Sequence, residues 1–135
     1  MEPPQQESTF EFELLQWRCR HATAGTSDEV FEAEGEFCYA SLSITNTGEA
    51  LASLNASCQF MIVGKERYTP IAEVMALDEL ADAGFGEEIA PGGRVENSAL
   101  YYDVPKGSDP DALELHEGCD SPGFRLPLTP ALRGD

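Results

Sequence analysis

Short runs of alternating apolar and polar residues cover most of the chain, and turn-forming residues separate them. The clearest run spans residues 35–48. Its apolar residues share one parity: Cys38, Ala40, Leu42 and Ile44. Because successive side chains of a strand point to opposite faces, this alternation predicts a half-buried antiparallel strand with Cys38 turned toward the core.

Residues 9–20 also alternate, but the parity of the apolar positions changes between Leu14 and Leu15. One extra residue at this point, a β-bulge, restores a single inward face that includes Cys19. A strand that crosses between two sheets explains the change equally well. Residues 21–32 are small and polar, so they predict a loop.

Five further short strands follow from the same pattern, and one segment has helical spacing. The predicted strands span residues 57–63, 68–70, 95–104, 112–116 and 123–128. In the first of them Cys58, Phe60 and Ile62 are predicted to face inward, and a hairpin turn is predicted at residues 64–67. Apolar residues recur at helical spacing within 73–83 and predict one short helix. Pro127 has no amide proton and is therefore predicted on an edge strand or at a strand end. The pattern predicts an all-β sandwich of about seven strands.

The length of 135 residues is typical of one domain. We predict a sandwich over residues 9–128, flanked by flexible extensions at 1–8 and 129–135, which lack periodicity. No apolar stretch of membrane-spanning length occurs, and the first residues lack the basic and apolar regions of a signal peptide. We therefore expect no direct membrane insertion, and no signal or lipid anchor within this chain.

The charge is strongly acidic, with 25 Asp and Glu against 8 Lys and Arg and a net charge of -17. Such a chain repels phosphate backbones and anionic lipids, which disfavours binding to nucleic acid or to a membrane surface. The acids are dispersed, so they predict a solvated surface that resists aggregation, and we expect a monomer.

The four cysteines are Cys19, Cys38, Cys58 and Cys119. The closest two are separated by 18 residues, which argues against a zinc site built from C-x-x-C pairs. Two disulfides are the favoured interpretation, and reduced core thiols are the alternative. Of three possible connectivities we favour Cys19 with Cys38, on neighbouring strands, and Cys58 with Cys119, by elimination. In the chain-entropy model they would contribute about 3 and 4 kcal/mol.

Candidate chemistry is sparse. His21 and His116 are the only histidines, and the first is predicted in a polar loop and the second on a short strand. His21 lies close to Cys19, but an inward structural cysteine beside a solvated histidine is the favoured interpretation over a catalytic pair. His116 has no Ser, Thr or Cys nucleophile in a recognisable motif, so we expect no enzyme activity, no catalytic residue and no cofactor.

Acidic clusters raise the question of calcium. They comprise Asp78, Glu79, Asp82, Glu87, Glu88, Asp109 and Asp111. None shows the alternating Asp or Asn ligands with a central Gly that calcium loops use, so no metal site is assigned.

Several landmarks occur together along the predicted strands. They are Gly35-x-Phe37-Cys38, Asn46-Thr47-Gly48, Gly64-x-x-x-Tyr68, Pro91-Gly92-Gly93 and Tyr102-Asp103-Val104-Pro105. Over residues 10–128 the chain resembles an uncharacterised family of immunoglobulin-like domains, a domain of unknown function. Members are exported by Gram-positive bacteria, often on lipoproteins, and are similar in fold to a secreted mycobacterial immunogenic antigen. The chain departs from the family at Met61-Ile62-Val63-Gly64, where such domains usually have Asp-x-x-Gly.

The resemblance implies an immunoglobulin-like fold and a secreted or envelope-associated location, and it supplies no catalytic residue. We therefore expect a non-enzymatic, extracytoplasmic binding or adaptor module of the bacterial cell envelope. It would engage an unknown protein partner through loops or an edge strand such as residues 96–103. The alternatives are an enzyme, a calcium- or small-ligand-binding domain, and a structural spacer. Binding residues are not assigned.

Overall fold

The computed structural model describes residues 10–25, 30–71, 88–121 and 123–134. These residues form seven strands: β1 Phe10–Gly25, β2 Val30–Asn46, β3 Phe60–Val63, β4 Glu66–Tyr68, β5 Arg94–Val104, β6 Ala112–Leu115 and β7 Phe124–Pro127. Two single turns of 3-10 helix lie at Ala56–Cys58 and Pro130–Leu132. The helix predicted over residues 73–83 lies outside the described residues.

The strands form two antiparallel sheets, one in the order β1-β2-β5 and the other in the order β4-β3-β6-β7. This arrangement confirms the predicted all-β sandwich. In constant-type immunoglobulin domains the fourth strand completes the sheet of the first, second and fifth strands. Here β4 instead pairs with β3 through a hairpin at Gly64, whose φ is +61°, and so joins the second sheet. Pro127 lies on the edge strand β7, as predicted.

A bulge in β1 produces the parity change that the sequence shows. Leu14 lies opposite Leu42 and Gln16 lies opposite Ser41, so Leu15 is the extra residue. The strand stays beside β2 on both sides of the bulge, which excludes a crossing between sheets. As a result Phe12 and Trp17, on either side of it, are both buried.

The core lies between the sheets, and strands β2 and β5 each bury the residues of one parity. In these strands the inward residues are buried: Cys38, Ala40, Leu42, Ile44, Ser98, Leu100, Tyr102 and Val104. Opposite them lie Met61, Leu113, Leu115 and Leu126 from the second sheet. The period of two along each strand is therefore a direct result of one buried and one outer face.

The prediction of a loop over residues 21–32 is wrong at both ends, and its middle, residues 26–29, lies outside the described residues. Residues 21–25 belong to β1 and residues 30–32 to β2, with Thr23 opposite Glu32 and Gly25 opposite Val30. This part of the hairpin extends beyond β5, which pairs with β2 only from Glu36 onward. In this two-stranded ribbon, residues 21–25 and 30–35, the first strand carries no large apolar side chain, and the alternating Phe31 and Ala33 of the second strand are only half-buried. The ribbon therefore lacks the strong apolar pattern that identified the other strands.

The predicted inward face of β3 was also wrong. Cys58 lies in a 3-10 turn and Phe60 is partly exposed, while Gln59 and Met61 are fully buried and Met61 belongs to the core cluster. Ile62 is also buried, but it lies on the opposite face of the strand from Met61 and outside that cluster. A polar residue at the inward position concealed the true parity. Burial of Gln59 is possible because its side chain has hydrogen-bond partners, which the next subsections describe.

Both disulfides of the favoured connectivity are present, and none of the four cysteines is free. Cys19–Cys38 joins the adjacent strands β1 and β2 and is buried. Cys58–Cys119 joins the 3-10 turn before β3 to the turn after β6, where Cys119 is exposed. Two disulfides are typical of proteins that fold in an oxidising, extracellular environment.

Residues 129–134, which the sequence predicts as part of a flexible tail, lie along the edge strand β1. The Trp17 indole donates from Nε1 to the Thr129 carbonyl oxygen at 2.8 Å, and Gly134 N donates to the Trp17 carbonyl oxygen at 2.7 Å. The Arg133 guanidinium carbon lies 4.6 Å from the Trp17 ring centroid. The segment thus covers the tryptophan on one side.

Candidate binding cleft

A cleft of about 370 Å³ opens on the outer face of the three-stranded sheet, where the ribbon leaves the sandwich. Its lining comprises Arg18, His21, Thr23, Ala24, Val30, Phe37, Cys38, Tyr39 and Tyr101. Strand register assembles it: Arg18 lies opposite Tyr39, and Tyr39 lies opposite Tyr101, so the three side chains form a row across β1, β2 and β5. Cross-strand neighbours of this kind are within contact distance.

The row is ordered by aromatic and cationic contacts. The Tyr39 and Tyr101 rings stack with centroids 5.4 Å apart and planes 19° from parallel. Arg18 donates from Nε to the Tyr39 hydroxyl at 2.9 Å, and its guanidinium carbon lies 5.1 Å from the Tyr39 ring centroid. These contacts fix the guanidinium against the aromatic surface.

Electrostatically, the cleft differs from the rest of the chain. Although the chain has 25 acidic residues, no Asp or Glu occurs among the described residues that line the cleft. Burial, with a smaller contribution from Tyr39, raises the pKa of the Tyr101 phenol, and the Arg18 charge opposes that shift only in part. The phenol is therefore neutral at physiological pH, and the cleft carries a local positive charge from Arg18.

His21 lies in strand β1, opposite Phe37, and not in the solvated loop that the sequence predicts. Its ring centroid is 6.3 Å from that of Tyr39. In the part of the chain that the structure describes, its Nε2 is the only buried side-chain nitrogen or oxygen without a hydrogen-bond partner. An unsatisfied buried polar atom costs stability, and such atoms concentrate at functional sites.

His116, the other histidine, has a structural environment. It follows β6 directly and is 8% exposed. Nδ1 lies 2.9 Å from the Ser121 carbonyl oxygen and Nε2 lies 2.8 Å from Glu114 Oε2. Arg67 also contacts that carboxylate oxygen, at 2.8 Å. A Cβ at Gly123 would fall 2.5 Å from the imidazole, so glycine is required there for the ring to fit. Both ring nitrogens are thus engaged in packing the second sheet.

The acidic residues considered for calcium do not converge where the structure describes them. Asp109 Oδ1 accepts from Arg20 and Arg133, each at 3.2 Å, and Asp111 accepts from Gly64 N at 2.8 Å. Residues 78, 79, 82 and 87 lie outside the described residues.

One group of potential metal ligands does converge among the described residues: Cys19, Glu36 and Cys38. The two sulfurs are bonded to each other, so neither is available as a thiolate, and the Glu36 carboxylate pairs with Arg20 at 2.6 Å. The donor set does not fit a metal ion.

Two larger depressions have a different character. One, of about 470 Å³, lies between β1 and β7 and is crossed by the ion pair of Arg94 with Glu13. The other, of about 810 Å³, flanks the ribbon and is lined by Glu32, Glu34 and Asp103. Asp103 is occupied there by the amides of Glu34 and Gly35. The cleft at Arg18 therefore offers the best-defined set of recognition groups.

The sequence did not identify this cleft. Arg18, Tyr39 and Tyr101 are each at outward positions of a strand, but their proximity depends on the strand register. The available signal was the presence of two tyrosines, Tyr39 and Tyr101, on the outward parity of the adjacent strands β2 and β5.

Comparison with known proteins identifies a family that matches most of the chain. Residues 6–123 match the model of a family that is described as a domain of unknown function. No curated protein and no solved structure shows significant similarity to the chain. Within the described residues, no helix has the length and apolar character needed to cross a membrane.

Proposed function

The chain belongs to the DUF4352 family, and we propose that it is a non-enzymatic, extracytoplasmic binding module of the bacterial cell envelope that engages another protein through the cleft at Arg18, Tyr39 and Tyr101. The location is supported by the two disulfides, which persist in oxidising compartments. It is also supported by the landmarks that resemble exported Gram-positive domains and lipoproteins and the secreted mycobacterial antigen.

The observation that carries the binding role is the preformed row of side chains in the cleft. The row stands on three paired strands, and the Cys19–Cys38 disulfide lies directly beneath it, with Cys38 in the cleft wall. A site that is rigid before binding loses little conformational entropy when a partner docks. Tyrosine and arginine are also the residue types that most often anchor protein interfaces.

A binding role without catalysis is supported by the environment of the histidines. Both nitrogens of His116 are engaged within the fold, and His21 has its Nε2 buried. A general base must be within hydrogen-bond distance of the group that it deprotonates. His116, with both ring nitrogens engaged, does not offer this arrangement.

The edge-strand route expected over residues 96–103 is already used in part. Ile71 N donates to the Tyr101 carbonyl oxygen at 2.9 Å, so the chain itself pairs with the outer edge of β5 at this point. This contact favours the face of the sheet over its edge as the docking surface.

Site-specific cross-linking tests the proposal. A photoreactive amino acid replaces Thr23, on the exposed rim of the cleft, or Thr47, which is exposed at the opposite end of β2. In intact cells of the source organism we expect position 23 alone to capture one identified envelope protein. The capture should be lost with Tyr101→Ala in a protein that retains both disulfides. Identical products from both positions would contradict the binding role, and reduced cysteines in a cytosolic fraction would contradict the location.

A further inference from the structure

We propose that the cleft recognises a carboxylate, specifically an Asp or Glu side chain within an extended segment of the partner protein. This inference rests on the proposed function and specifies the chemistry of its ligand. The charge of the proposed ligand is unusual, since a strongly acidic chain would bind an acidic segment at one local positive charge.

The first argument is the pairing of the arginines. All six arginines of the chain lie within the described residues. Four of them form ion pairs with carboxylates: Arg20, Arg67, Arg94 and Arg133. Arg125 is exposed on the edge strand β7 and is solvated. Arg18 is half-buried, yet it has no carboxylate partner in the described part of the chain. In a chain with 25 acids, a half-buried guanidinium of this kind is a site that an external anion complements.

The second argument is the direction of the hydrogen-bond donors. Arg18 uses Nε to donate to the Tyr39 hydroxyl. Its two terminal nitrogens have no partner among the described residues. The Tyr39 oxygen accepts this bond, so its own O–H group remains able to donate. A carboxylate beside the row would accept from the guanidinium and from the phenol, and charge-assisted bonds of this type are the stronger ones.

The third argument is the apolar surface around the cation. Tyr101, Phe37 and Val30 line the same cleft, and Val30, at the ribbon edge, is 61% exposed. An exposed branched apolar residue beside stacked tyrosines suits a large apolar or aromatic neighbour of the acidic residue. A volume of about 370 Å³ accommodates two adjacent side chains and not a folded domain.

Charge also favours a carboxylate over a phosphate as the ligand of the cleft. The cleft supplies one guanidinium, whereas phosphate-binding proteins typically present clusters of arginine. A phosphate group carries nearly two negative charges and is therefore repelled about twice as strongly by a chain of net charge -17. We therefore assign the site to a single carboxylate.

The test uses two capped seven-residue peptides with a central Glu, or Gln, between two Tyr residues. Binding is followed by amide chemical shifts and by calorimetry. We expect the Glu peptide to bind at the cleft at least tenfold more tightly than the Gln peptide. Arg18→Met should abolish this difference, and the matched control Arg125→Met, which has the same net charge, should preserve it. Tyr39→Phe keeps the ring and removes the donor, so it should weaken the Glu peptide alone.

Each outcome bears on the inference. Equal binding of the two peptides, or no binding of either, overturns the carboxylate assignment. The cross-linking result still decides the binding role independently. Tighter, Arg18-dependent binding of inorganic phosphate, or of an uncapped peptide that ends in Tyr, overturns the assignment to a side-chain carboxylate. Should Arg18→Met fail to form both disulfides, Tyr39→Phe provides the decisive comparison.

Discussion

Gln59 and His116 are joined by two hydrogen bonds of opposite direction. His116 N donates to Gln59 Oε1 at 2.7 Å, and Gln59 Nε2 donates to the His116 carbonyl oxygen at 2.8 Å. The buried side-chain amide thus completes the pairing of β3 with β6 where the chain turns away into the Ala56–Cys58 turn. The Gln59 backbone carbonyl oxygen accepts from the buried Tyr102 hydroxyl at 2.9 Å, which links the two sheets.

Removal of the Gln59 amide should therefore destabilise the domain. We expect Gln59→Met to reduce the free energy of unfolding by about 1–3 kcal/mol, because the buried N–H and C=O groups of His116 lose their partners. Urea denaturation measures the change. The matched Gln16→Met, on a half-buried position of β1, should stay within about 0.5 kcal/mol of the original chain. Equal effects of the two substitutions would show that the paired hydrogen bonds contribute nothing specific.

The same residue explains why β3 was the least predictable strand. Alternation revealed β2 and β5 because their inward positions are apolar or small, from Cys38 to Ile44 and from Ser98 to Val104. Gln59 is polar and inward, which shifted the apparent parity by one residue. The ribbon at residues 21–25 and 30–35 was missed for a different reason, since residues 21–25 contain no large apolar side chain and the alternating Phe31 and Ala33 are only half-buried.

The disulfides followed from inward cysteines on neighbouring strands, whereas the cleft did not follow from any local pattern. Arg18, Tyr39 and Tyr101 are far apart in sequence and meet only through the β1-β2 and β2-β5 registers. The bulge at Leu15 also determines which side chains meet, because without it the Arg18 side chain would face the other side of the sheet. Recognition sites built across strands require the pairing, which alternation alone does not determine.

The two disulfides should differ in their reaction with reductant. Cys19 and Cys38 are 1% and 0% exposed, whereas Cys119 lies on the surface. Thiol exchange requires access of the attacking thiolate to a sulfur, so Cys58–Cys119 should be reduced first under native conditions. Alkylation at timed intervals followed by peptide mass spectrometry identifies the order. Simultaneous reduction of both bonds would contradict the difference in access.

Acid should weaken the second sheet through Glu114. Burial alone would raise the pKa of this carboxyl, but hydrogen bonding from His116 and the charge of Arg67 outweigh it and lower the pKa below the ordinary value of 4.5. A carboxyl with a depressed folded pKa stabilises the fold above its unfolded pKa, and this contribution disappears as the pH falls through the folded value.

We therefore expect the original chain to be more stable than Glu114→Gln at pH 7. The difference should shrink as the pH falls from about 4.5 toward the lower pKa of the folded state. Thermal melts of both proteins across this range provide the measurement. The control is Glu66→Gln, at an exposed position of β4, where little pH-dependent difference is expected. A difference for Glu114→Gln that is constant from pH 7 to pH 3 would refute the assignment.

The C-terminal segment offers a test with a built-in reporter, since Trp17 is the only tryptophan. It is 3% exposed beneath residues 129–134, with Thr129 and Gly134 as hydrogen-bond partners and Arg133 over its ring. A chain that ends at Leu128 should show red-shifted tryptophan emission and a loss of about 1–3 kcal/mol in stability, because the indole N–H loses its partner. Arg133→Gln should retain both hydrogen bonds and lose about 0.5–1 kcal/mol, chiefly from the cation–π contact, because its ion pair with Asp109 is solvent-exposed. Unchanged emission and melting in the truncated chain would instead show that the segment is a flexible tail, as its sequence suggests.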